Sequence, residues 1–161
     1  MTREEKLALI GDFESAYGLV EKMLTGLPGE ALRFVPPIEG AWSVNDFLVH
    51  LLDADANLVF RVRGAVAEPG VVAPVWDEEA WHAKLRYGAE DGLSCIALAS
   101  GLRSFIATGL RALVDEDWSG FWISHPARGR MELAGLLEMY RGHVAFHAPL
   151  IKRNIDAWKA R

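Results

Sequence analysis

His143 and His147 stand four residues apart in the run Tyr140-Arg141-Gly142-His143-Val144-Ala145-Phe146-His147. On a helix that spacing projects two imidazoles from one face about one turn apart, so both can converge on a single ion. Positions 140, 143, 144, 147, 150 and 151 form one apolar stripe, and both histidines lie inside it. Two inward imidazoles without partners carry a desolvation penalty, which a shared ion removes. A third candidate is His50, three residues after Phe47 and four before Ala54, on the apolar stripe of another helical segment. Three neutral imidazoles with an open fourth position make a catalytic type of metal site, suited to zinc or nickel. Cys95 is the only cysteine. Thiolate knuckles and internal disulfides are therefore excluded, and any metal must rest on His, Asp or Glu.

These side chains need helices to hold them, and Pro and Gly divide the chain into four long periodic segments. The first is expected from about Arg3 to Thr25 behind a Thr2 cap, with Ile10, Phe13, Tyr17, Val20 and Leu24 on its stripe. The second starts at Ser43, where Ser43-x-x-Asp46 is a capping box with Asp in place of Glu, and ends near 64–68. The third is expected over about Asp91 to Val114, burying Leu98, Leu102, Phe105, Ile106, Leu110 and Leu113. The fourth runs from about Glu132 to Trp158. Pro149 lies inside it and cannot donate to the carbonyl of Ala145, so a kink beside His147 is expected. Between the second and third segments lie some two dozen residues, Ala67 to Glu90, with a short helix expected around Glu78 to Leu85. A connection that long permits parallel neighbours, whereas an antiparallel pair needs only a few residues. Phe121-Trp122-Ile123 is read as a brief extended piece. The expected fold is all-α, a single four-helix-bundle domain over residues 1–161.

Composition narrows the partners. The chain has 161 residues, 51% of them hydrophobic, with 17 basic and 22 acidic residues and a net charge of −5. Its basic residues are scattered, so nucleic acid is not an expected partner. Asp12 and Glu14 interrupt the N-terminal apolar stretch, which speaks against a signal peptide. No uninterrupted apolar run approaches the roughly 20 residues of a membrane span. A cytoplasmic protein without membrane association is expected.

Gly40-Ala41-Trp42-Ser43-Val44-Asn45-Asp46 followed by His50-Leu51-Leu52-Asp53 resembles the pattern G-x-W-S-x-x-E-x-x-x-H-L-x-D of the DinB-like superfamily. The H-x-x-x-H at His143 and His147 matches too, as do the segment from Trp76 to Trp81 and the Ser124-His125-Pro126 loop. The resemblance covers nearly the whole chain. It implies an up-down-down-up four-helix bundle and a divalent metal on His50, His143 and His147. It also implies a metal-dependent enzyme, either a hydrolase or a transferase using a low-molecular-weight thiol such as bacillithiol or mycothiol, acting on a small-molecule substrate. Maleylpyruvate isomerisation is a further branch. The rival reading is a non-catalytic binding or stress-response module whose metal is structural or vestigial. Asp46 stands where the pattern has Glu, and Leu150 where members often carry Gln.

Asp46, Asp53 and His125 are weaker catalytic candidates. Either aspartate could orient His50 or act as a base, although Asp46 also fits a helix cap and Asp53 a solvated surface. His125, beside Arg128 and Arg130, could receive an anionic group. His82 is read as structural or exposed, Cys95 as a small core residue, and Trp76 and Trp81 as possible pocket-mouth residues. A homodimer through an exposed apolar helix face is expected.

Overall fold

The computed structural model describes all 161 residues. Helix α1 spans Arg3–Glu14 and begins in a full capping box: the Glu5 N–H donates to Thr2 Oγ1 and the Thr2 N–H to the Glu5 carboxylate. The first expected helix is not continuous. A 3-10 turn at Ser15–Tyr17 separates α1 from α2, Gly18–Leu24. The Ser15 hydroxyl donates to the Gly11 carbonyl at 2.8 Å, a side-chain bond of the kind that competes with the helical ladder and bends it. A short α3 follows at Gly29–Arg33, which sequence periodicity did not announce.

Helix α4, Val44–Ala67, starts at the expected cap, with the Asp46 N–H on Ser43 Oγ and the Ser43 N–H on Asp46 Oδ2. Helix α5 is Glu78–Leu85, the crossover helix expected there. Helix α6 is Gly92–Arg111. Strands β1, Trp122–His125, and β2, Gly129–Glu132, pair antiparallel, so the extended piece is one arm of a hairpin. Helix α7, Leu133–Lys159, runs unbroken through Pro149. Pro149 does not interrupt the helix, which continues on both sides of His147.

Cross-helix bonds give the topology. Asn45, at the start of α4, accepts from the N–H of Gly92 at the start of α6, and Asp55 pairs with Arg103 about ten residues further along both helices. The two therefore run parallel, as the long crossover demands. A side chain at Gly92 would collide with Asn45, its Cβ falling 2.7 Å from Oδ1, so glycine permits this close approach. In contrast, α7 meets α4 antiparallel, with Asn154 bonded to the Trp42 carbonyl at one end and Tyr140 to Arg61 towards the other. Helix α1 runs against α6, its Lys6 bonded to the Val114 carbonyl and its Glu14 paired with Arg111. The order is up-down-down-up.

The third helix is rotated relative to its expected face. Leu98 and Phe105 are exposed, and the buried stripe is Cys95, Ile96, Ala99, Arg103, Ile106, Ala107 and Leu110. The reason is Arg103, which is fully buried. Its Nε and Nη2 donate to the two oxygens of buried Asp55 at 2.7 and 3.0 Å, and its other bonds reach the carbonyls of Phe13 and Tyr140. A guanidinium satisfied in this way claims the inward position that periodicity gives to leucine. Helix α6 is also long and apolar enough to cross a membrane by length and composition alone. No uninterrupted apolar run signals this, because Ser94, Ser100, Arg103, Ser104 and Thr108 interrupt it. In the bundle it is a core helix packed on α4 and α1.

Candidate metal centre

Helices α4 and α7 position the histidines. His50 lies two turns into α4, behind the Ser43 cap, and is 1% exposed; His147 is 8% exposed and His143 half-buried. His143 Nε2 lies 3.0 Å from His50 Nε2 and 2.9 Å from His147 Nε2, and the three donor atoms fall within 4.8 Å of one another. Two nitrogens on a tetrahedral ion at about 2.0–2.1 Å stand about 3.3 Å apart, so slight expansion of this triangle would seat one. Aromatic rings hold the imidazoles. Trp42 meets His50 edge-on with centroids 5.3 Å apart, Trp76 lies 5.4 Å from His50, and Phe47 and Phe146 flank His147 at 5.4 and 5.1 Å.

Electrostatics favour the neutral, ligating form. Burial pushes the His50 pKa down to about 3, aided by the neighbouring His143 and His147. Burial likewise lowers His143 and His147 to about 4 each. Three neutral nitrogens crowded on one point have lone pairs to give and no carboxylate partner at hydrogen-bond distance. Nδ1 of His50 and of His147 is buried without a hydrogen-bond partner. The donor set thus fits a divalent ion.

His50 and His143 open on a cleft of about 820 Å³ whose lining also includes Trp76, Glu78, Arg61 and Tyr140. Glu78, the first residue of α5 and well exposed, places Oε2 4.0 Å from His50 Nε2. Trp76 lines the cleft, and Trp81 packs on it with centroids 4.9 Å apart. In the same cleft Arg61 donates to the Tyr140 hydroxyl at 2.8 Å, and His125 and Arg128 of the hairpin also line it.

The weaker candidates separate. Asp46 is engaged by Ser43 as a helix cap and faces His82 Nε2 at 3.7 Å. Asp53 does not line the cleft; its carboxylate accepts from the Tyr87 hydroxyl, and burial raises its pKa. His125 does line it, its pKa lowered by burial and by Arg61 and Arg128. His82 stacks on Trp42 at 4.5 Å, and Cys95 is buried with its thiol pushed up to about 11 by burial and nearby acids. Sequence reasoning missed Arg61, Tyr140 and Glu78. Arg61 follows His50 by eleven residues, three helical turns, and a cation on an apolar stripe was the available signal.

The family model of the DinB superfamily matches residues 12–151. The chain belongs to the DinB superfamily. This DinB-superfamily protein is 28% identical over 131 residues to a "Putative metal-dependent hydrolase" of Geobacillus kaustophilus, across 77% of this chain and 69% of the relative. It is 26% identical over 108 residues to a protein of the same name in Oceanobacillus iheyensis, across 67% of this chain and 62% of the relative. The chain thus spans somewhat more than three-fifths of each relative's length. Among solved structures, YfiT from Bacillus subtilis superposes with a TM-score of 0.84 at 22% identity, covering 96% of this chain and 87% of YfiT. YfiT is described as "a probable metal-dependent hydrolase with an unusual four-helix bundle topology", and at this identity the likeness concerns the fold.

Proposed function

We propose that this protein is a metal-dependent hydrolase that holds one divalent ion, zinc or nickel, on His50, His143 and His147. The observation that carries the reading is the convergence of three Nε2 atoms, from buried His50 and His147 and half-buried His143, at the edge of an open cleft. An ion bound there supplies Lewis acidity and a nucleophile at neutral pH. The remaining work falls to the chain. Glu78, on the solvent side of His50, accepts a proton across one water's width during attack. Trp76 and Phe146 line the cleft and give it apolar surface beside the histidines. The names of both curated relatives support hydrolysis.

A second reading, transfer of a group to a low-molecular-weight thiol, draws support from the cleft volume of about 820 Å³, which lies towards the upper end of small-molecule sites and has room for two reactants. The assembly fitting this fold is a homodimer through α6. Between Asp91 and Arg111 its only charge is the buried Arg103, while Leu98 and Phe105 face outward.

Elemental analysis of the purified protein, followed by ester, amide and thiol-transfer screens with metal loaded and chelated, tests the proposal. One equivalent of metal and chelator-sensitive hydrolysis are expected. Stoichiometric metal that resists added azide, with no turnover, would favour a structural site in a binding module.

A further inference from the structure

The bundle buries two arginines, and their surroundings differ. Arg103 is neutralised by a two-point pairing with Asp55. Arg61 is 5% exposed, yet no carboxylate pairs with it: its bonds go to the Tyr140 hydroxyl at 2.8 Å and the Pro74 carbonyl at 3.0 Å. A guanidinium has five N–H donors, and the one on the buried Nε has no acceptor in the protein. Burying a cation without a counter-charge is costly, and a fold that retains one beside a cleft leaves a place for an anion.

The position of Arg61 says which part of a substrate that anion would be. On α4 it is three turns beyond His50 on the same face, about 16 Å along the helix axis, and both residues line the same cleft. His125 and Arg128 lie on the same cleft, and the lowering of the His125 pKa by both arginines places the three groups in one electrostatic neighbourhood. The acidic residues of the cleft, Asp77, Glu78 and Glu79, come from the segment opening α5 and are exposed. Val75, Trp76, Met139 and Phe146 supply apolar wall.

We propose that Arg61, assisted by Arg128, is the anchor for an oxyanion carried at the end of the substrate remote from the histidine triad, so that the protein acts on carboxylate-bearing organic molecules with an apolar body. The inference rests on the cleft being the substrate site, as the hydrolase reading has it. It explains why Tyr140 is fixed one turn before His143: its hydroxyl accepts from Arg61 and holds the guanidinium in place.

The test uses the full-length, chelator-treated protein, so that its outcome is separate from that of the metal site. Arginine side-chain Nε–Hε resonances are followed by NMR during titration with 4-phenylbutyrate, with 4-phenylbutanamide as the neutral match and phenyl phosphate as the phosphate arm. The Arg61 resonance should shift with the carboxylate and not with the amide, and the carboxylate should bind about tenfold more tightly. A response to phenyl phosphate and not to the carboxylate would reassign the oxyanion to phosphate and overturn the carboxylate class. Arg61→Met should remove the preference and Arg61→Lys keep part of it. The wild-type titration stands even if Arg61→Met fails to fold. Equal binding of carboxylate and amide, or a stationary Arg61 resonance, overturns the proposal.

Discussion

Glu78 Oε2 stands 4.0 Å from His50 Nε2, bringing the first residue of the crossover helix to the edge of a triad built by two other helices. That gap is too long for a direct hydrogen bond and suits a proton acceptor working through a water. Glu78→Gln should lower hydrolytic turnover by about 100-fold or more while metal content stays at one equivalent. Steady-state rates measured beside elemental analysis check this. Unchanged turnover would remove Glu78 from the chemistry.

Truncating a ligand should separate metal uptake from folding. His147→Ala removes one of three donors and leaves a space flanked by Phe47 and Phe146. Metal retained after dialysis should fall below a tenth of an equivalent, while far-UV circular dichroism keeps most of the helical signal. Stoichiometric retention would count against the triad.

Acid should destabilise the metal-free protein through the same histidines. In the unfolded chain a histidine takes up its proton near pH 6.5. The folded state holds His50 at about 3 and His143 and His147 at about 4. Below pH 6.5 the unfolded state therefore binds more protons, so stability present above that value is lost as the pH falls towards 4. Each histidine contributes a slope of up to about 1.4 kcal/mol per pH unit. Urea midpoints at pH 7.5 and 4.5 in chelator, compared with those of a variant carrying Asn at all three positions, measure this term.

The Asp55–Arg103 pair offers a test of the bundle's stability. Arg103→Leu leaves Asp55 buried, with Tyr17 as its remaining partner, and should cost about 3–5 kcal/mol. Adding Asp55→Leu should restore a good part of that loss. Denaturant titration of the two variants decides whether the pair acts as a unit.

Assembly through α6 predicts that Phe105→Glu yields a monomer. Phe105 is 54% exposed and contributes nothing to the core on its own helix, so the bundle should stay folded. Sedimentation velocity at micromolar concentration reads the result. Wild-type protein that already sediments as a monomer would end this proposal.

Much of this architecture was legible in the residues. The caps at Thr2 and Ser43 start their helices where the sequence places them, because a capping box is a contact within four residues. The crossover helix at Glu78–Leu85 and the parallel pair it permits follow from local pattern and chain length. His143 and His147 share a face by helical spacing alone, and His50 announces itself by sitting on an apolar stripe. The rotation of α6 was not legible. Periodicity ranks Leu98 and Phe105 above Arg103 for burial, and only Asp55, 48 positions earlier, reverses that order.

The sequence by itself determined the long helices apart from the break at Ser15–Tyr17, their polarity and the three imidazoles, since each depends on neighbours within a turn or two or on the length of a connection. Tertiary structure alone decided that His50 Nε2 meets His143 Nε2 at 3.0 Å, that Glu78 reaches the edge of the triad, and that Arg61 is buried without a carboxylate beside it. Those are relations between helices far apart in the chain, fixed by how their faces pack, and no local spacing carries that information.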